Sequence, residues 1–373
     1  MKMRFHIALA ALLAASGVSA QQTRLLTADK HNEYGIVYNL PLTQLVFDIE
    51  AEHTVSVAGP FYRYAGKYVG TADVVKADSE SWEVKGVTMS SRGVPGGPER
   101  TYLMQLKSGQ DVSVCVAGEG DGMLLAINKD VSLPALPPAP SGDDAILSAQ
   151  SEAREAAKAY LQYVDEDFLV SQSSAMRARM LSETLMEVRE SKLSLSRGTA
   201  ETMPADGRQL ELMLNSLGAQ EKALSEAFTG VTVRRSATHR YTFTPDTAAI
   251  NADGTRTVLG RLSDFAGFTD TDDLTGEPIY LNIRYVNIPE IPVDEKGEPK
   301  RLPKDAVVYT LPSTAEITLT WMGRTIYSGT VDLAQQGAVF GLDPKLFTDR
   351  KAPSEAEFDA STGALLRIAR KEQ

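Results

Sequence analysis

The chain has 373 residues, 43% of them apolar and 23% charged, a globular composition that excludes disorder on any large scale. It carries 38 basic against 49 acidic residues and no basic patch, which argues against nucleic acid and against anionic membrane surfaces as partners. Its length sets an expectation of two domains, or three.

Residues 1–20 have the pattern of a secretory signal peptide. Lys2 and Arg4 make a positive start, Ile7 to Ala15 is a short apolar run, and Val18-Ser19-Ala20 is a small-residue cleavage site before Gln21. The run is too short for a permanent anchor. No cysteine follows it to carry a lipid. Removing these residues takes away two basic groups and no acidic one, leaving 36 against 49, a net charge of about −13. The expected address is therefore the periplasm or cell envelope, with no transmembrane segment in the mature chain.

Residues 23–132 read as a β-rich domain with one short helix. In Leu45-Val46-Phe47-Asp48-Ile49-Glu50-Ala51-Glu52, the apolar side chains alternate with Asp48, Glu50 and Glu52, which predicts a half-buried strand. Gly59-Pro60 opens a short helix, Phe61 to Val69, that Gly70 ends, with Phe61, Tyr64, Ala65 and Tyr68 on one face and Tyr62 on the other. Strands are expected around Trp82–Met89, Thr101–Leu106, Val112–Val116 and Met123–Ile127. A proline-rich linker, 133–142, then leads into a helical segment, 143–230.

That segment holds a helix from about Asp144 to Tyr163 and two longer ones. From Ser173 to Lys192 the residues Met176, Met180, Leu185 and Val188 predict one apolar stripe. From Asp206 to Gly230 the stripe is Leu210, Leu214, Leu217, Leu224 and Phe228, with Met213 alongside. Asp206 followed by Gln209 fits an N-cap with its capping-box partner, and Gly230 supplies a left-handed stop. The pair is expected to pack as an antiparallel hairpin, against a sheet or the first helix; the other reading is an exposed prong that recruits a partner.

A second β-rich domain is expected over 231–373, giving an α+β, sandwich-like fold whose β-rich ends flank the helical hairpin. Strands are read at Val231–Val233, Arg240–Thr244 and Leu281–Tyr285, and a hairpin at Ile317–Val331 about the turn Met322-Gly323-Arg324. Val37-Tyr38-Asn39-Leu40-Pro41-Leu42-Thr43 echoes Val308-Tyr309-Thr310-Leu311-Pro312-Ser313-Thr314 at five of seven positions, through a duplicated module or by chance.

Chemistry is thin. After His6 leaves with the leader, His31, His53 and His239 remain, none at metal-ligand spacing, and there is no phosphate loop, dinucleotide fingerprint or Gly-x-Ser-x-Gly elbow. No cofactor or metal is expected. Asp270 to Glu277 fails as a calcium loop, because its glycine is seventh and its glutamate eighth where the EF-hand needs sixth and twelfth places. The lone Cys115 can make no internal disulfide. Asp48, Glu50 and Glu52, as a cation or basic-peptide surface, and Tyr62, as a sugar platform, are the candidate ligand-binding residues, each against a plain structural reading.

Val37 to Pro41 and Ala58-Gly59-Pro60-Phe61-Tyr62-Arg63-Tyr64-Ala65-Gly66-Lys67-Tyr68-Val69-Gly70 resemble the N-terminal signature of an uncharacterised family of exported bacterial proteins. Asp206-Gly207 and Phe358 with Thr362-Gly363-Ala364 are also similar. The family is catalogued only as a domain of unknown function, typical of gut-type Gram-negative anaerobes. The resemblance implies an envelope location and no activity. Three functions stand open: a non-catalytic envelope protein that binds another protein or itself, a glycan-binding module, and a hydrolase with a dispersed triad.

Overall fold

The structure is a computed structural model that describes residues 35–105, 112–117, 122–133, 138, 144–246, 255–263, 266–291, 293–298, 302, 306–349 and 351–370. Residues 1–20, expected to be a signal peptide, His31, most of the 133–142 linker and the turn expected at 251–254 lie outside the described residues.

In chain order the elements begin with β1 (Gly35–Asn39), β2 (Pro41–Val57), a 3₁₀ turn and α1 (Ala65–Tyr68), β3 (Ser79–Pro95), β4 (Thr101–Gln105), β5 (Val114–Ala117) and β6 (Met123–Ile127). The helical middle holds α2 (Asp144–Ala156), α3 (Glu166–Val170), α4 (Ser174–Arg197) and α5 (Gly207–Thr229). Then come β7 (Val231–Phe243), β8 (Thr255–Ser263), β9 (Gly267–Thr269), β10 (Glu277–Asn287), β11 (Val307–Trp321), β12 (Arg324–Leu342), α6 (Lys345–Thr348), β13 (Ser354–Phe358) and β14 (Leu365–Arg370). The fold is α+β, with β-rich ends around central helices.

The two β-rich ends share sheets. β2 is the centre of a three-stranded sheet, β3-β2-β7, and β14-β13-β6-β1-β4 runs through a second sheet, with β5 added on β6. The third sheet, β12-β11-β10-β8-β9, faces the first across one apolar core. The alternation read in β2 is real: Leu45, Phe47, Ile49 and Ala51 are completely buried in that core. The segments read as separate strands at 231–233 and 240–244 form the single strand β7, because each residue from Val231 to Phe243 is in register with β2. The turn at Met322-Gly323 has φ of 47° and 74°, the two positive values a two-residue hairpin of right-handed twist needs.

The sequence echo has a structural counterpart. β1 and β2 are one long strand that changes sheets at Leu40-Pro41. Its partner changes with it, so that Pro41 faces Pro95, Asn39 faces Thr101, and residues 96–100 loop out. β11 bends in the same way at Pro312: Ser313 faces Leu333, Leu311 faces Ala338, and 334–337 bulge out. The two bent hairpins meet through buried polar groups. Tyr38 Oη accepts from Val308 N at 2.6 Å and donates to Val308 O at 3.2 Å. Thr43 Oγ1 accepts from Ala334 N at 2.9 Å and donates to Ser361 O at 2.9 Å. Proline suits both bends because no ladder donor is required there.

The helices depart from expectation in detail. The first is shorter than read, since α2 ends at Ala156 and a 3₁₀ stretch covers Ala159–Tyr163. The Phe61–Val69 helix splits into a 3₁₀ turn and one α-turn. α5 is capped by Asp206, whose carboxylate accepts from Gln209 N, but the Gln209 side chain reaches Ala205 N instead of the cap's own N–H. Gly230 ends α5 with φ 82° and ψ 175°, an extended mirror conformation and not the left-handed helical one. In α4 the buried stripe is Ala178, Leu181, Ser182, Leu185, Val188 and Leu195. Met176, expected on that stripe from its spacing, lies outside it, exposed, because it falls about 140° around the helix from Leu181.

Candidate functional site

Three of the four residues nominated from sequence, Asp48, Glu52 and Tyr62, come with their own partners. On β2 the register sets Asp48 opposite Arg240 of β7, and the guanidinium grips the carboxylate with two hydrogen bonds of 2.7 Å. Glu52 lies 3.2 Å from Lys85 of β3, which also holds Glu83 at 2.6 Å. Glu50 stays exposed, with Gly86 and Thr238 across from it. A row of three acids is thus reduced to one bare carboxylate. Tyr62 is half-buried; the Arg63 guanidinium lies 5.7 Å from its ring centre and donates to its Oη at 3.2 Å, covering part of the surface a sugar would use. Tyr64 and Tyr68 pack on the helical core, and Trp82 is buried in the sheet core.

Histidine chemistry converges in one place. His53 is fully buried on β2, stacked on Trp82 with ring centres 4.3 Å apart and planes 7° off parallel. Its Nε2 lies 2.7 Å from Glu80 Oε1, and Gln150 of α2 donates to the same oxygen at 2.7 Å. Among the described residues neither His53 Nδ1 nor Trp82 Nε1 has a hydrogen-bond partner. A triad needs a hydroxyl on the second ring nitrogen. His239 sits on β7 against Phe268 and Tyr241, with ring centres 5.3 and 4.4 Å away. The Glu80 contacts join β2, β3 and α2, beside Ala149 and Ala153 packed on Val55, Val231 and Val233. The arrangement fastens a helix to a sheet.

Two further candidates have plain geometry. Asp273 Oδ1 accepts from Thr275 N and Oγ1 at 3.0 and 2.6 Å, a local turn. Among the described residues no group of three or more His, Cys, Asp or Glu side chains is placed to hold a metal. Cys115 is half-buried and donates to Val131 O at 3.1 Å.

The helical hairpin offers the surface. Its inner end is anchored: Gly59 backs so closely onto α5 that a Cβ there would meet Ala227 O at 2.5 Å, and Phe61 N donates to the same oxygen at 3.0 Å. Phe61, Phe168, Leu181, Leu185, Leu224 and Phe228 form the shared core. Arg189 and Lys192 of α4 converge on Glu221 of α5 at 2.9 and 2.8 Å and hold its carboxyl below the usual range, Lys192 most strongly. The outer face of α4 is a different matter. Met176, Arg179, Glu183, Met186, Glu190, Leu193 and Arg197 follow a strict 3–4 spacing and are all exposed, Met176, Met186 and Leu193 at 49, 47 and 47%. Met203, Leu212 and Met213 are also exposed on the hairpin. The outer seam is masked in the sequence because α4 carries two apolar patterns, and Met176 of the outer one reads together with Leu185 and Val188 of the inner stripe. The 3–4 spacing through Met186 and Leu193 was the available signal.

No described helix is long and apolar enough to cross a membrane. The family model described as Domain of unknown function (DUF4831) matches residues 34–366. No curated protein and no solved structure matches the chain.

Proposed function

The chain belongs to the DUF4831 family, a domain of unknown function, and we propose that it is an exported, non-catalytic envelope protein that works by binding another protein or a second copy of itself through its helical hairpin. The observation that carries the reading is the outer seam of α4, which holds three large apolar side chains in water on a helix whose other face is already packed. Four exposed methionines on the hairpin, Met176, Met186, Met203 and Met213, add a flexible, polarizable surface of the kind that repacks against partners. The leader pattern of residues 1–20 supports export.

Site-specific photo-crosslinking in intact cells tests the binding. A crosslinker at Leu193 is expected to give discrete adducts to envelope protein, whereas one at Met322, also exposed, on the turn between β11 and β12, is expected to give none. No adduct from Leu193, or the same adducts from both positions, would refute the reading. Fractionation with N-terminal sequencing tests export, and an expected start at Gln21 in the envelope fraction is the supporting result.

A further inference from the structure

Resting on that reading, we propose that a second copy of this chain docks on the outer seam of α4, helix against helix and antiparallel, in the register that sets Met176 against Leu193 of the second copy. The charges on the seam choose the occupant and the direction. A parallel pairing in register would bring Arg179 to Arg179, Glu183 to Glu183 and Glu190 to Glu190, three like-charge layers. Turning the second helix around with Met176 opposite Leu193 places Arg179 opposite Glu190 and Glu183 beside Met186, and two-fold symmetry repeats each layer. Every apolar residue of the seam then meets an apolar or aliphatic surface, and each Arg179 meets a carboxylate. Glu183 keeps its own Arg179, 2.9 Å away along the helix.

The seam from Met176 to Leu193 is about 26 Å long. A contact of that length buries less than the roughly 1,200–2,000 Å² of stable interfaces, so the dimer is weak and concentration-dependent. The inner face of α4 takes no part, because Leu181, Leu185 and Val188 are already buried against α5 and its surroundings. A dimer built on this seam therefore leaves each protomer's fold unchanged.

The test is sedimentation velocity on the full mature chain, across a dilution series of about three decades in concentration. The natural chain is expected to shift from monomer to dimer with rising concentration. Arg179→Glu alone and Glu190→Arg alone are each expected to weaken the dimer about tenfold or more, since each places like charges together twice. The double exchange Arg179→Glu/Glu190→Arg is expected to return it to within about threefold of the natural chain. Leu193→Ser is expected to weaken the dimer, and Met322→Ser to leave it unchanged. Far-UV circular dichroism confirms that each variant is folded. A chain that stays monomeric throughout, single exchanges without effect, or a double exchange that fails to recover would each overturn the proposal. A monomeric chain whose Leu193 crosslinker still captures another envelope protein would remove this dimer and leave the previous reading standing.

Discussion

The side-chain amide of Gln335 acts as a piece of strand for Thr43: it accepts from Thr43 N at 3.2 Å and donates to Thr43 O at 2.8 Å, with both residues fully buried. The pair closes the gap left where both long hairpins bend and their ladders part. It joins residues 292 positions apart in the chain, so it exists only when both hairpins are in place. Gln335→Ala leaves a buried amide and carbonyl without partners and is expected to cost about 2–4 kcal/mol, read from urea unfolding. Gln335→Glu is expected to be worse at neutral pH than at acid pH, because the carboxylate opposes Thr43 O until it is protonated.

Tyr38→Phe tests the same junction from the other side. Burial pushes the phenol far above its usual range, so Oη remains protonated and serves Val308 as both donor and acceptor. Its loss is expected to cost about 1–3 kcal/mol without altering the strands. A change below a few tenths of that would mean the two hairpins hold together without it.

Asp359 sets an acid limit. Burial disfavours its carboxylate, but hydrogen bonds from Ser361 and Thr362 outweigh that and hold it below its ordinary value. A depressed carboxyl in the folded state gives stability that is complete above the unfolded value, near 3.8, and is lost as pH falls through the folded value. Asp359→Asn is therefore expected to flatten the fall in melting temperature below about pH 4. An unchanged acid profile would contradict this role.

His53 and Glu80 separate a structural pair from a catalytic one. Glu80→Ala strips the partner from His53 Nε2 and from Gln150 and is expected to destabilise the chain by about 1–3 kcal/mol. His53→Phe keeps the stack on Trp82 and removes the buried polar ring, so its cost is expected to stay within about 1.5 kcal/mol. A large loss on His53→Phe would mean that the imidazole holds α2 in place by more than packing.

Gly230 shows how tightly the hairpin is joined to the sheet. Its φ of 82° is one that residues with a Cβ rarely adopt, and a Cβ there would meet Val75 Cβ at 2.7 Å and Val57 O at 2.8 Å. Gly230→Ala is expected to cost more than about 2 kcal/mol and to release α5 from β7, seen as faster amide exchange in Val231–Val233.

Local pattern carried the elements, and long-range pairing lay beyond it. The alternation through Leu45, Phe47, Ile49 and Ala51 named the buried face of β2, since a period of two assigns faces. It does not name neighbours, and nothing in Val231 to Phe243 marks β7 as the strand beside β2. Arg234-Arg235-Ser236 broke the apolar rhythm and made one strand look like two. His53, polar and completely buried, was invisible for the opposite reason: its partners Glu80, Trp82 and Gln150 come from two other elements. The turn Met322-Gly323 and the cap Asp206 were legible because their chemistry is local; Gly230 was legible as the end of α5 but not in its conformation, which the contact with Val57 and Val75 sets. In the candidate site, Asp48 and Glu52 could be seen as acids, but not that Arg240 and Lys85 would neutralise them. The outer seam of α4 was written in the sequence and overshadowed by the stronger inner stripe.

Whether the outer face of the hairpin is a binding surface or merely a wet face is decided by replacing Met176 and Met186 together with serine, the crosslinker staying at Leu193, and measuring two quantities on that one variant. Thermal unfolding is expected to stay within about 1 kcal/mol of the natural chain, as for exposed positions, while hairpin crosslinks in cells are expected to vanish. Crosslinks that persist unchanged in a variant of unaltered stability would contradict the account.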